Sequence, residues 1–524
     1  MEQLVHFFKD YILPQWKHNR RSITAVSAAI YVVYTVYQKI NRPPKRLRHI
    51  PYINGIDTLT SFFKKIPLDK VTDEVALPLV LETDHGLYSR ITPAGWQVVI
   101  SDPAIAKEYL FDANTFPKVP LNKHFEGTVI GRFIIGPNIL FLSGQHWKNQ
   151  RKIANPAFHR SMPLQVFGKL TDKLFSVMDQ SNGKSIDAYD LMERWTLDAI
   201  GNASFGFDFG AVTDSNNEWV HRYNDVVEAT IDPLYAFLPV LERKYLDWFP
   251  NRKKIHDELS VFLDMIQHII DEKRRKLADP SRDRSQETKK EKDLLQMMME
   301  SGEDENGAVL TDEELKSNMC VFFFAGHDTT TSALSFAIYY LAKHPEMQER
   351  AREEAQRVLG NEPRNIRPTV EQSREMTYIE QIIKEVLRIA GPADSLISRK
   401  ANKDTELGGV FIPKGTDVTL SIYNLQRNPR VWNNPEKFDP ERFAPGGEAE
   451  GKDANAWIPF SSGSRICIGM NFSLSEQRFL LPMLLRKYKW SLPKDSIHHE
   501  KIVIELGLGV ISPIDFNVVF ERLY

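Results

Sequence analysis

Residues 460–469 read FSSGSRICIG and run directly into an apolar-periodic stretch from Met470 to about Leu485 that predicts a helix. Phe460 opens the segment. Gly463 and Gly469 let the backbone take tight turns or approach another group closely. Cys467 stands just before the helix N-terminus, where the helix dipole and free backbone N–H groups favour thiolate over thiol. Arg465 adds positive charge beside it. A cysteine so placed can be a metal ligand, a nucleophile or a buried apolar residue, and the stretch alone leaves all three open. The one other cysteine, Cys320, falls in an apolar run and reads as core.

The rest of the composition narrows the class. The chain has 524 residues, 42% hydrophobic and 26% charged, which is enough apolar material for a large core and excludes a disulfide scaffold or wholesale disorder. Lys and Arg number 67 against 69 Asp and Glu, so the formal charge of −2 gives no basic excess for a nucleic-acid backbone. Two cysteines far apart suit a reducing compartment. From about residue 103 to 350 the dominant period is helical, while WQVVI (96–100), DVTLSI (417–422) and FNVVF (516–520) read as short strands. The fold class is therefore mainly α with small β-sheets. The mixed charges of 271–293 read as a solvated loop between helices.

Residues 22–38 (SITAVSAAIYVVYTVYQ) carry no charge and predict a helix of roughly 25 Å, adequate for a thin bilayer. More basic residues follow it than precede it, which places the body of the protein on the cytosolic side. The expected organisation is a luminal or interfacial segment at 1–21, an anchor at 22–38, a basic Pro-containing linker at 39–51 and one catalytic domain at 52–524.

Further groups carry chemistry. AGHDTT at 325–330 interrupts a helix expected from about Asp312 to Leu341, with Gly326, Asp328 and Thr329 weakening it and calling for partners or a wet pocket. Glu385 and Arg388, in EVLR, share one helical face and can pair. Arg442 follows in FDPERF (438–443). Trp147 and Arg151, in HWKNQRK, stand one above the other on a helix, and Arg399 follows the Glu385 helix.

The segment at 460–469 resembles the haem-binding signature of cytochrome P450 monooxygenases, Phe-x-x-Gly-x-Arg-x-Cys-x-Gly, at every fixed position. The other groups resemble that family's motifs, in the expected order from about residue 50 onward. The expected relatives are membrane-anchored, fungal members. The resemblance implies a large helical domain with a smaller β-rich region, holding haem b with Cys467 as axial iron ligand. Phe460, Gly463, Arg465 and Gly469 then belong to the cofactor site, and Trp147, Arg151 and Arg399 hold the propionates. Asp328 and Thr329 relay protons, Glu385, Arg388 and Arg442 form a structural charge network, and His327 lines the pocket or hydrogen-bonds. Gln426 departs from the histidine common in the family and leaves the central residues untouched.

By the same resemblance the chain hydroxylates a lipophilic molecule such as a steroid, fatty acid, terpenoid or xenobiotic at the endoplasmic reticulum membrane. No Gly-x-Gly-x-x-Gly stretch occurs in the chain. Electrons would come from NADPH through cytochrome P450 reductase, with cytochrome b5 as a further partner, docking near Lys148, Arg151 and Lys152. The expected substrate-lining residues are Phe125, Val129, Ile130 and Phe133; Leu234, Tyr235 and Phe237; Leu396 and Ile397; and 506–510. The rival readings are a haem-thiolate isomerase, dehydratase or peroxygenase that needs no reductase, and a non-enzymatic haem sensor or carrier.

Overall fold

Helix formers and apolar periods set most of the architecture in this computed structural model, which describes residues 20–159, 162–279, 292–301 and 310–524. The helices that position the site are α1 (Arg20–Asn41), α2 (Gly144–His159), α3 (Ala188–Ile200), α4 (Glu218–Thr230), α5 (Pro250–Ala278), α6 (Asp312–Lys343), α7 (Thr377–Ile389) and α8 (Met470–Lys487).

The spine is α6, about 48 Å long at 1.5 Å per residue. Thr311 and Glu314 close a capping box at its start, and three acidic residues in its first turn match the helix dipole. Beyond Leu315 it is apolar on nearly every face, so other elements must surround it. On one side lies α3, where Thr196 Oγ1 and Thr331 Oγ1 share a hydrogen bond of 2.7 Å. The two helices approach so closely that a Cβ on Gly326 would stand 2.7 Å from Ile200 Cγ1. On the other side is α8, with Thr330 Oγ1 donating to Ser473 Oγ at 2.9 Å.

A four-stranded sheet supplies the smaller β-rich part. Strands β1 (Leu87–Thr92), β2 (Gly95–Ile100), β3 (Arg399–Lys400) and β4 (Asp417–Leu420) stand in the order β1-β2-β4-β3. The β1–β2 hairpin is antiparallel, β2 pairs with β4 in parallel, and β3 closes the edge antiparallel to β4. The expected strand near the C-terminus forms as Asn517–Arg522.

Several boundaries differ from the sequence reading. Helix α5 runs to Ala278, through the first third of the expected loop, because Glu, Lys and Arg are good helix formers; residues 280–291 lie outside the described residues. The expected linker is packed, with Leu47 and Ile50 buried among Val98, Ile100 and Val418. The expected anchor is helical within α1, yet among the described residues no helix is long and apolar enough to cross a membrane. Serine, threonine, tyrosine and glutamine dilute its apolar character. Most of the expected luminal segment, residues 1–19, lies outside the described residues.

Candidate functional site

The loop before α8 is built to present Cys467. Gly463 has φ +70°, a left-handed conformation that glycine adopts without strain, and it packs beside the Leu110 carbonyl. The backbone N–H of Cys467 donates to the Phe460 carbonyl at 2.9 Å, folding the segment back on itself, and Gly469 caps α8. Cys467 is solvent-accessible, yet it lies deep enough for burial to push its thiol up. An accessible atom so deeply set lines an internal cavity. The backbone N–H groups of Gly469 and Met470 and the charge of Arg151 act in the opposite direction, as the helix-terminus reading expects, but burial outweighs them. Cys320, by contrast, is sealed in the core, and burial pushes its thiol up to about 12.

Around this loop stands a set of cations. Arg465 lies over the Trp147 ring, with its guanidinium carbon 3.7 Å from the centroid, and donates to the Leu142 carbonyl at 2.8 Å. Arg399, 2% exposed, donates to the Tyr109 and Leu110 carbonyls at 3.0 and 3.3 Å. Lys118, which the sequence reading missed, bridges β3 as a neighbour of Arg399 and donates to the Ile397 carbonyl at 3.1 Å. Burial and the charge of Arg399 push Arg465 down to about 9. Burial, Arg399 and Arg465 likewise push Lys118 far down, while burial lowers Arg399 and Arg151. None of these four cations forms an ion pair among the described residues; Asp112 is the one carboxylate whose field reaches the group, at Arg399. Partly buried cations repelling one another call for an anion of matching charge. A haem would fit these residues: Cys467 could offer a thiolate to its iron and the cations could answer its propionates.

On α6 one stripe is open while its flanks are sealed. Ala325 is exposed and Gly326 and Thr329 are partly exposed, whereas Phe322, Phe323, Phe324 and most of 330–342 are buried. Such a stripe in a buried helix lines a cavity. Thr329 Oγ1 donates to the Ala325 carbonyl at 3.0 Å, the back-bonding expected to loosen the helix there. Asp328 turns elsewhere. It is 7% exposed, accepts from the Tyr223 hydroxyl at 2.5 Å, and lies with Oδ1 3.0 Å from His327 Nε2. The acid and the alcohol adjacent in sequence thus stand in different environments. His327 is wholly buried and hydrogen-bonds through Nδ1 to the Phe323 carbonyl at 2.5 Å, so it does not line a pocket.

Glu385 is the centre of the expected charge network. Arg388 Nε and Nη2 donate to it at 2.7 and 2.9 Å, Arg442 Nε at 3.3 Å and the Asp439 backbone at 2.9 Å. Arg442 also pairs with Glu448. Gln426 joins the same assembly: its amide donates to the Leu387 and Arg388 carbonyls at 2.9 and 3.2 Å, and its oxygen accepts from Ile458 N at 3.0 Å. One amide supplies both functions in place of the histidine.

The expected substrate-lining residues divide. Leu396, Ile397 and residues 506–508 are partly exposed, but Val129 and Phe133 are buried, with Phe133 packed on Tyr223 and Phe262. Tyr235 packs on Phe249 under Arg252, and Phe237 meets Phe62 edge-on at 5.4 Å.

Known proteins are similar to this chain in sequence and in fold. A family model described as Cytochrome P450 covers residues 95–512. Cytochrome P450 4d2 of Drosophila melanogaster is 33% identical over 398 residues, covering 72% of this chain and 77% of that protein. Cytochrome P450 4A7 of Oryctolagus cuniculus is 30% identical, covering 68% and 69%. These relatives are animal proteins, so a particular likeness to fungal members is not shown. Among solved structures, the heme domain of cytochrome P450DA superposes with a TM-score of 0.72 at 23% identity, covering 88% of this chain and 95% of that one, a likeness of fold. Fold, thiolate loop and relatives agree: the chain belongs to the cytochrome P450 family and is a haem-thiolate monooxygenase.

Proposed function

We propose that this enzyme hydroxylates a lipophilic small molecule with electrons delivered from NADPH by a separate reductase. The observation that carries the reading is the accessible Cys467 with Arg151 beside it and Arg465, Arg399 and Lys118 linked on from there, none of the four paired with a carboxylate among the described residues. Cys467 would hold the haem iron, while Arg399, Arg465 and Lys118 would answer the propionates, with Trp147 stacked on Arg465. When bound, the haem supplies dioxygen activation, to which a thiolate ligand contributes electron density. The residues of this chain orient the substrate, keep water out and hold protons. Thr329 presents a hydroxyl on the open stripe of α6, and Asp328 behind it keeps a carboxyl that accepts from the Tyr223 hydroxyl.

The electron donor meets the face of α2. Lys148 and Lys152 are exposed there and form no ion pair among the described residues, which leaves them to steer an acidic partner. Membrane contact is supported by the surface. Val26, Ile30, Val33 and Val36 are exposed on α1, and Phe63, Leu234, Leu238 and Trp248 are exposed elsewhere. The helix Gly55–Phe63 reaches the segment Pro233–Phe237 through Phe62 and Phe237, joining part of this apolar surface.

The deciding experiment is the carbon monoxide difference spectrum of the reduced protein, which should show the red-shifted band of a thiolate-ligated haem. Cys467→Ser should abolish it and Cys320→Ser should leave it. A wild-type spectrum without that band would sink the reading. Product formation that proceeds without NADPH and reductase would instead favour an isomerase or peroxygenase.

A further inference from the structure

Behind the open stripe of α6, three helices enclose a group of titratable side chains that the haem site does not use. Glu193 comes from α3, Tyr223 and Asn224 from α4, and His327 and Asp328 from α6. Glu193, Tyr223, His327 and Asp328 are all buried, and the ligand-type atoms of Glu193, His327 and Asp328 lie within 4.8 Å of one another. Tyr189 and Asp190 of α3 face the same group through their charges or dipoles.

Proton positions follow from the contacts. A carbonyl only accepts, so His327 Nδ1 carries the hydrogen in its 2.5 Å bond to Phe323 O. Its other nitrogen then faces Asp328 Oδ1 at 3.0 Å but outside hydrogen-bond alignment. An unprotonated Nε2 would set a lone pair against a carboxylate, so the imidazole is driven to its charged form. Asp328 and Glu193 pull it the same way, and together with the Phe323 carbonyl they overcome the opposing effect of burial. One imidazolium balances one carboxylate. The second carboxyl, Glu193, must therefore hold a proton of its own, since no lysine or arginine is paired with it among the described residues. Burial and Asp328, opposed by His327, push it up to about 7. This proton is also within reach of solvent: Glu193 Oε2 accepts from Asn224 Nδ2 at 3.3 Å, and Asn224 is exposed.

We propose that Glu193 is the proton reservoir of this enzyme, taking protons from solvent at Asn224 and passing them, beside the His327 imidazolium, to Asp328 for release at the cavity face of Thr329. In each transfer the O–H bond of Glu193 breaks as the Asp328 carboxylate takes the proton, the His327 imidazolium keeping both of its own; the neutral Asp328 carboxyl then turns from Tyr223 to the open stripe and releases that proton to the cavity. Solvent then returns a proton to the Glu193 carboxylate, so no charge accumulates. Glu193 acts through Asp328 and is a positioning residue; Tyr223 holds the Asp328 carboxylate in line. This inference rests on the proposed hydroxylation.

The test compares the haem-loaded wild-type chain with Glu193→Gln, Glu193→Asp and Tyr223→Phe, each with reductase and a substrate selected by spectral binding. In the infrared, the wild type should show a protonated-carboxyl band that titrates near neutrality and is missing in Glu193→Gln. Glu193→Gln should keep the carbon monoxide band and the rate of first reduction. The fraction of NADPH converted to product should fall about tenfold, with hydrogen peroxide taking up the difference and a larger solvent isotope effect. Glu193→Asp should recover most of the loss, and it carries the test if the glutamine variant does not fold. Unchanged product yield and isotope effect in Glu193→Gln would overturn the proposal, as would a stoichiometric divalent metal lost on His327→Ala. A wild type without the carbon monoxide band would instead overturn the hydroxylation reading itself.

Discussion

Arg465 lies on the face of Trp147, its guanidinium carbon 3.7 Å from the ring centroid, and so stands pinned between that ring and the Leu142 carbonyl. The sequence places these residues more than 300 positions apart. The stack holds a cation toward the cysteine loop where burial alone would drive it out. Such a contact is worth about 0.5–2 kcal/mol when partly desolvated. Trp147→Ala is expected to weaken haem retention by roughly 2- to 30-fold, read as the ratio of haem to protein absorbance during dilution or transfer to apomyoglobin. Arg465→Lys should lose nearly as much, because an ammonium keeps the charge without the planar face.

Glu385 is wholly buried between two arginines, and its loss leaves Arg388 without a carboxylate and Arg442 with Glu448 alone. Glu385→Gln should destabilise the fold by about 3–5 kcal/mol, seen as a lower urea midpoint and poor haem incorporation. Gln426→Leu removes the three hydrogen bonds that tie α7 to the segment at Ile458 and should cost less, about 1–3 kcal/mol.

Gly326 has no room for a side chain because Ile200 occupies the space. Gly326→Ala should cost about 1–3 kcal/mol through overpacking. In an Ile200→Ala background the penalty should shrink, since the atom that clashes is gone. Equal penalties in both backgrounds, measured by thermal melts, would show that the close approach of α3 to α6 is misread.

Glu193 gives stability a defined pH dependence. Its carboxyl loses a proton near 4.5 in the unfolded chain but near 7 in the folded one. Between those values the folded state binds more protons, so the contribution of this group falls as pH rises and is fully lost above about 7. Glu193→Gln cannot ionise. Relative to wild type it should gain up to about 3 kcal/mol between pH 4 and pH 8, followed by chemical denaturation at each pH. A constant difference across that range would contradict the protonated, buried carboxyl.

Much of the site was legible because its signals are local. The glycines, arginine and cysteine of 460–469 act on a single turn and the start of α8, and Glu385 with Arg388 share one helical face by spacing alone. The run AGHDTT announced a break in the polarity of α6, and the structure opens a stripe there. What spacing could not report is direction. Asp328 and Thr329 are adjacent, yet a rotation of about 100° per residue sends one toward Tyr223 and the other to the open stripe. Lys118 carried no signal at all, since its role comes from an isolated bridge to Arg399.

The sequence by itself determined a mainly helical fold of the cytochrome P450 family, the motif that singles out Cys467 and the bounds of its principal helices, because these follow from local periodicity and from motifs confined to a few turns. Only the tertiary structure decided which cations gather around the cysteine loop, which way Asp328 faces, and that Glu193, Tyr223 and His327 meet behind it. Those relations depend on helices far apart in the chain packing at fixed angles, and charge balance in a buried space can be judged only once every neighbour is in place.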